Sequence, residues 1–365
     1  MIPVEVFIRE AAEKERPAPV GVRRTMWRTL FGDLASSVIT VVIVAIAILA
    51  LPRLLSWAVV NGVWTGGGDA CRDAGACWAY LREKTPFILF GIYPPEEQWR
   101  PVVLILIFIG LTLWTMPTAH WTRLTLFSWI AGILLSLLLM GGGLFGLETV
   151  PTSAWGGLPI TILLTVLSLA IGFPLGTALA LGRQSRLPVI RLLSIGFIEV
   201  IRGLPVVSLL FIASILLPIM LPDGMTIDNL FRALVALTFS SAAYLAEVLR
   251  GGLQGLHRGQ EEAARALGLG WFTTMRLVIL PQAIRKVIPP LTNTAVVIVK
   301  NTSLVLVVGL FDLLSAGRAA LVDPDWPAPY VETYMFVALI YFVICFGISR
   351  YSLSLERTMV QGVQR

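Results

Sequence analysis

Residues 259–281 read GQEEAARALGLGWFTTMRLVILP. This water-compatible stretch lies between two long apolar runs, in a chain built mostly of such runs. Gln260, Glu261 and Glu262 fill what reads as a first helical turn, where carboxylates suit the positive end of the helix dipole. Gly259 can cap the start of that helix. Arg265 follows Glu261 by four residues and Glu262 by three, within reach of both on a helix. Gly268 fits the left-handed position just past the helix end. A second short helix from Trp271 to Leu280 is expected to stop before Pro281, because proline pushes the residue before it out of the helical region. The pattern is a compact helix–turn–helix outside a bilayer. Ala263 and Ala264 leave room for close approach by another protein. Helix signals of this kind are generic, and by themselves they favour an ordinary interfacial loop.

The surrounding composition explains why such a stretch is unusual. The 365 residues are 56% hydrophobic and 14% charged, with mean hydropathy +0.82. A soluble domain carries roughly 25% charged residues. Nearly uncharged runs of about 20 residues mark transmembrane helices. The net charge of +6 therefore reports membrane orientation and not nucleic-acid binding. Three cysteines are too few for a disulfide scaffold: Cys345 lies in an apolar run, and Cys71 and Cys77 share one polar loop. Residues 1–29 are polar and lack the short apolar stretch of a cleavable signal.

The expected architecture is all-α and polytopic, with about eight spans near 34–60, 101–118, 124–146, 157–182, 194–221, 230–250, 287–311 and 331–351. Arg53 interrupts the first, so its outer end reads as amphipathic. Glu199, Arg202 and Pro205 interrupt the fifth. Arg23, Arg24, Arg28, Arg123, Arg183, Arg186 and Arg191 fall on one side, with the six bases of 250–287 and Arg350, Arg357 and Arg365. On the other side Asp69, Asp73, Glu83, Glu96 and Glu97 stand against Arg72, Arg82, Lys84 and Arg100, where the asymmetry is weakest, and Glu148, Asp223, Asp228, Asp312, Asp323 and Asp325 follow with only Arg232 and Arg318 as bases. This asymmetry makes both termini and the 250–287 loop cytoplasmic. The 62–98 segment, rich in aromatics, reads as a small ordered extracytoplasmic cap. Residues 1–33 form a cytoplasmic tail and 34–150 a plain three-span region. The later spans carry glycines, prolines and ionisable groups, as a transport path requires. No inverted repeat is visible.

Glu262-Ala263-Ala264, three residues, Gly268, nine residues, then Val278-Ile279-Leu280-Pro281 resembles the EAA loop of ABC importer permeases. Val278, where isoleucine is usual, is the departure. The resemblance implies that Glu262, Ala263, Ala264, Gly268, Leu280 and Pro281 couple to an ATPase subunit. Ile201–Pro205 (IRGLP), Ala243–Gly252 (AYLAEVLRGG) and Lys300–Leu304 (KNTSL) are similar to the polar amino-acid permeases for histidine, glutamate, glutamine, arginine and opines. That likeness covers roughly 155–355 and implies a five-helix type I importer core. The three-span extension and the CWAYLREK loop resemble the general L-amino-acid (Aap) and glutamate/glutamine/aspartate/asparagine (Bzt) permeases. The implied setting is the bacterial inner membrane. Implied partners are ABC ATPase subunits that bind ATP and Mg, a second homologous permease in a heterodimer, a periplasmic amino-acid-binding protein, polar amino-acid substrate and membrane lipids.

Ser240, Tyr244 and Glu247 recur at i, i+4 and i+7 and share one helix face. They read as substrate-path residues; the plainer account pairs Glu247 with Arg250. Lys300 and Asn301 open a run of four polar residues in the seventh span, which suggests a local break or a polar bundle centre. Helix–helix hydrogen bonding is the alternative. Burial of Lys300 is the reason to favour a path. Arg202 joins the path as a weaker candidate, its plainer role being a pair with Glu199 beside a kink at Gly203 and Pro205. Glu247, Arg202 and Lys300 together offer a counter-charge to each end of an amino acid. Cys71 and Cys77 are either a disulfide or two free thiols, on the side where disulfides persist.

No GxxxxGK[ST] run is present, so the chain itself binds no ATP through a P-loop. His120 and His257 are far apart, and no metal-ligand spacing or catalytic triad appears, so neither a catalytic nor a metal site is expected. The leading expectation is a non-enzymatic permease whose energy comes from another subunit. Its rivals are an ion-coupled secondary transporter using Glu247 and a polytopic membrane enzyme.

Overall fold

In hydrocarbon, apolar runs of this length satisfy their backbone only as helices, and helices are what form. A computed structural model describes residues 22–222 and 226–363. The expected tail lies outside the described residues over 1–21, as do Asp223 and Arg365 from the charge tally. Two compact units emerge.

The first unit holds α1 (Val22–Phe31), α2 (Leu34–Leu55) and the loop to Cys77 apart from Gly67–Asp69, which belong to the second. Asp33 starts α2: its side chain accepts from the Ser36 amide at 3.1 Å. A π turn, Ser56–Val60, ends the span. The following loop returns onto that turn through Ala76 N–H to Trp57 O (2.9 Å) and Gly75 N–H to Asn61 O (2.8 Å). A Cys71–Cys77 disulfide, with Cα atoms 5.5 Å apart, closes the loop.

The second unit runs through α3 (Trp78–Phe90), α4 (Trp99–Thr115), α5 (Arg123–Gly141), α6 (Gly157–Arg183), α7 (Pro188–Gly203), α8 (Val206–Ile219) and α9 (Asn229–Gln254). It continues with α10 (Gly259–Ala266), α11 (Trp271–Thr274), α12 (Leu280–Lys286), α13 (Ile288–Asn301), α14 (Leu313–Ala320) and α15 (Tyr330–Val363). Its spine is the α6–α9 pair. Ser168, Gly172, Gly176 and Ala180 recur every fourth residue on α6. A Cβ on Gly172 would lie 2.1 Å from Ser241 Oγ, and one on Gly176 2.7 Å from Ala242 O. Small side chains let the two backbones approach, and Ser241 Oγ donates to Ser168 O at 2.8 Å. Gly157, at φ +66, starts α6 where a Cβ would meet Leu89 O at 2.0 Å. The end of α3 thus rests directly on α6.

Among the described residues, seven helices are long and apolar enough to span, or eight if one bent pair counts as a span. That pair corrects the expected fifth span at 194–221. It is two helices, α7 and α8, at 108° to each other. Pro205 lacks an amide hydrogen and holds Leu204 extended (φ −101, ψ 138). Ile198 of α7 packs with Ala180, Ala246, Leu249 and Val287, all at one end of the α6–α9 pair. Arg183 and Gly182, which terminate α6, meet Glu199 and Ser194 of the same helix. α7 therefore lies across that end, and α8 alone rises beside α9, where Leu209, Leu210 and Ala213 join the main core.

The seventh span changes character where the four polar residues sit. α13 stops at Asn301, a 3-10 stretch follows over Thr302–Val308, and Gly309 at φ +83 ends it. The 62–98 cap contains a whole helix, α3, that periodicity did not reveal. It is tied to the segment after α14: Lys84 Nζ lies 2.6 Å from Asp323 Oδ2, and Tyr80 meets Trp326 edge-on at 5.5 Å.

Candidate functional site

The 259–281 loop forms at the α7 end of the second unit. α10 carries Glu261 and Glu262 in its first turn. Its cap residue is Arg258, so Gly259 is the first helical residue and not the cap. Arg265 pairs with Glu261 and leaves Glu262 without that partner. Gly268 has φ +75. Leu269 N–H reaches Ala264 O (3.1 Å) and Gly268 N–H reaches Arg265 O (2.9 Å), the two bonds of a Schellman ending.

The second helix departs from expectation. α11 lasts four residues, a π turn covers Met275–Ile279, and α12 begins at Leu280. Pro281 sits in the first turn of α12 instead of ending a helix. The π turn, closed by Leu280 N–H to Met275 O, has already interrupted the ladder. The proline's missing donor is therefore not needed there. Gln260 and Gln282 join α10 to α12 at 3.0 Å. Ala264, Thr274, Ile279 and Ala283 are buried beneath the loop, and Leu280 and Pro281 are half-buried. Ala263, Glu262 and Gly268 face outward, among exposed Leu267, Trp271, Phe272 and Leu277. This apolar rim was not anticipated, although its four large side chains stand in the sequence.

Close to the loop lies a charged cluster. Glu247 accepts from Arg250 one helical turn on. Its Oε2 is also 3.5 Å from Arg183 Nη1 and 3.8 Å from Arg202 Nη1. Three helices, α6, α7 and α9, thus converge on one carboxylate. Glu199 pairs with Arg183 at 2.8 Å and not with Arg202 as its spacing suggested. The Arg202 guanidinium stands 5.7 Å from the centre of the Tyr244 ring. Only the Glu247–Arg250 contact was legible locally; Arg183 arrives through the fold.

The remaining path candidates are dispersed. Ser240 is buried at 2% exposure, whereas Tyr244 is 38% exposed. The expected burial of Lys300 does not hold: it is exposed in this chain, and Asn301 is half-buried. Among the described residues no carboxylate lies within ion-pair distance of Lys300, so it stands apart from the Glu247 cluster. Among the described residues, α13 presents it on an exposed face.

Comparison with known proteins adds independent observations. Residues 172–360 match the family described as binding-protein-dependent transport system inner membrane component. The inner membrane amino-acid ABC transporter permease protein YhdY of Escherichia coli (strain K12) is 42% identical over 357 residues, covering 95% of this chain and 96% of that protein. The glutamate/glutamine/aspartate/asparagine transport system permease protein BztC of Rhodobacter capsulatus is 33% identical over an alignment of 428 residues, covering 97% of this chain and 98% of that one. A crystal structure of an amino acid ABC transporter with histidines aligns with TM-score 0.49 and 36% identity, over 55% of this chain and 92% of its own.

Proposed function

The chain belongs to the binding-protein-dependent transport inner membrane components, as the multi-pass permease subunit of an amino-acid ABC importer, and on that premise we propose how it works. It carries polar L-amino acids, with glutamate, glutamine, aspartate and asparagine the favoured cargo, from periplasm to cytoplasm by alternating access. The cargo named for BztC supports this choice. Membership in the family implies an ATPase and a binding protein as partners. The chain itself holds no nucleotide: ATP and Mg belong to the ATPase, whose motion enters through the 259–281 loop. Both termini and that loop face the cytoplasm, a placement that the arginine distribution supports.

One observation carries the coupling reading. The loop is joined to the charged cluster by a short physical route. Lys286 Nζ donates to Gly255 O at 2.7 Å, and Val287 packs with Ala246 and Leu249, the neighbours of Glu247. A displacement of α10–α12 therefore bears on the α6–α7–α9 convergence. Ser240, Tyr244, Glu247 and Arg202 line the path on α9 and α7, and Lys300 and Asn301 on α13. The rival reading, ion coupling through Glu247, is not favoured by the relatives, which are ABC permeases.

Uptake kinetics test the path. At matched expression, Tyr244→Ala and Lys300→Met should each lower uptake of polar amino acids, with ATPase association unchanged. Normal uptake of every polar amino acid tried, in both variants, would assign these residues to holding the bundle together.

A further inference from the structure

The outer end of α2 carries charges that lie outside the proposed path. Pro52, Arg53, Ser56, Trp57, Asn61 and Asp73 line one open pocket of about 770 Å³ within the first unit. Arg53 and Asp73 are both exposed, and among the described residues neither has an ion pair or a side-chain hydrogen bond. Opposite charges that line one pocket without pairing leave a counter-charge available to each end of a ligand bearing both signs. The Cys71–Cys77 disulfide encloses Asp73, and the loop's bonds to Trp57 and Asn61 hold it at the pocket.

Depth selects the ligand. At 1.5 Å per residue, Arg53 lies about 29 Å along the axis from Leu34, the first residue of α2. That matches the roughly 30 Å hydrocarbon thickness of a bilayer. Arg53 therefore sits at the headgroup boundary, with Trp57 one turn beyond, where indole rings favour the interface. We propose that this pocket binds the zwitterionic headgroup of a phospholipid, its phosphate on Arg53 and its ammonium on Asp73 beside the Trp57 ring. A free amino acid is also a zwitterion. The position at the end of an apolar helix, at headgroup level, favours the lipid.

The test uses the purified importer complex and lipid retention measured by native mass spectrometry, a readout that does not depend on transport. Phosphatidylethanolamine is the probe. Arg53→Gln and Asp73→Asn should each reduce retained phosphatidylethanolamine about tenfold, as expected for loss of one charge-assisted contact. Asparagine tolerates the positive φ of 59° at position 73, so the second variant keeps the loop. Arg53→Lys, which preserves the charge, should retain the lipid. Phosphatidylglycerol, which lacks the ammonium, should respond to Arg53→Gln and not to Asp73→Asn. Equal phosphatidylethanolamine retention in wild type and both neutral variants would overturn the proposal. So would binding of free glutamine that is lost in the same variants while lipid retention stays constant.

Discussion

At the scale of single residues, two glycines with positive φ separate fold from function. A Cβ on Gly157, at φ +66, would stand 2.0 Å from Leu89 O, whereas one on Gly268, at φ +75, would have nothing within 4 Å. Gly157→Ala should therefore prevent α3 from seating on α6, and folded protein should be lost. Gly268→Leu meets only the backbone penalty of the left-handed region, on the order of 1 kcal/mol, and that strain falls on the loop proposed to couple to the ATPase. Glu262→Lys reverses the charge in the same loop. Both loop variants should insert normally yet lose ATPase association and uptake; full ATPase binding in both would refute the coupling role. A second residue-level outcome concerns acid. A hydrogen bond from Lys84 holds the Asp323 carboxyl below its ordinary value. Burial acts to lower Lys84, but its bonds to Asp323 and Glu83 prevail and raise it. A depressed carboxyl contributes stability above its unfolded pKa and loses it as pH falls through the folded value. A raised lysine contributes below its unfolded pKa and loses it as pH rises through the folded one. The α3 tie should thus be constant through neutral and mildly acidic pH and loosen only below the usual carboxylate range. Hydrogen exchange in α3 across that range checks this, and Asp323→Asn should remove the acid-dependent part.

At the scale of elements, the loop carrying Cys71 and Cys77 makes the next outcome decisive. Ala76 and Gly75, inside the bridged segment, hydrogen-bond to Trp57 and Asn61. A non-reduced digest of protein folded under oxidising conditions should yield one Cys71–Cys77 peptide and a free Cys345. Free thiols at 71 and 77 would reject the bridge. The same scale shows what local sequence could and could not say. α10 and its ending were legible because a Schellman turn needs only Gly268 and the residues beside it. The Pro205 break was legible as a kink. Its consequence was not, because α7 lies flat through Ser194 and Ile198 meeting the ends of α6 and α9. α3 was hidden because Pro86 and three charges blur its periodicity, and its position depends on Gly156 and Gly157 far along the chain. Arg183 and Arg202 at Glu247 are likewise products of tertiary packing.

At the scale of the whole molecule, the exposed Lys300 bears on what the chain assembles with. It lies about 18 Å along the helix axis from Ile288 at 1.5 Å per residue, well inside a hydrocarbon layer roughly 30 Å thick. A lysine at such depth is costly unless it faces water or protein. Among its described residues the chain offers it neither a carboxylate nor cover. A second permease packed on the α13 face would supply one, enclosing a polar path between two subunits. The resemblance of the three-span extension to one of the two unlike permeases in Aap and Bzt systems motivates the expectation that the second subunit is a different, homologous chain. Native mass spectrometry of the solubilised importer should then find one copy of this chain, one copy of a homologous permease and two ATPase subunits. Lys300→Met should leave each chain inserted. Reconstitution of this chain with the ATPase and binding protein alone should give little uptake, since only half the path would be present. Full uptake by such a homodimer would contradict the heterodimer and would place the partner of Lys300 on a second copy of the same helix.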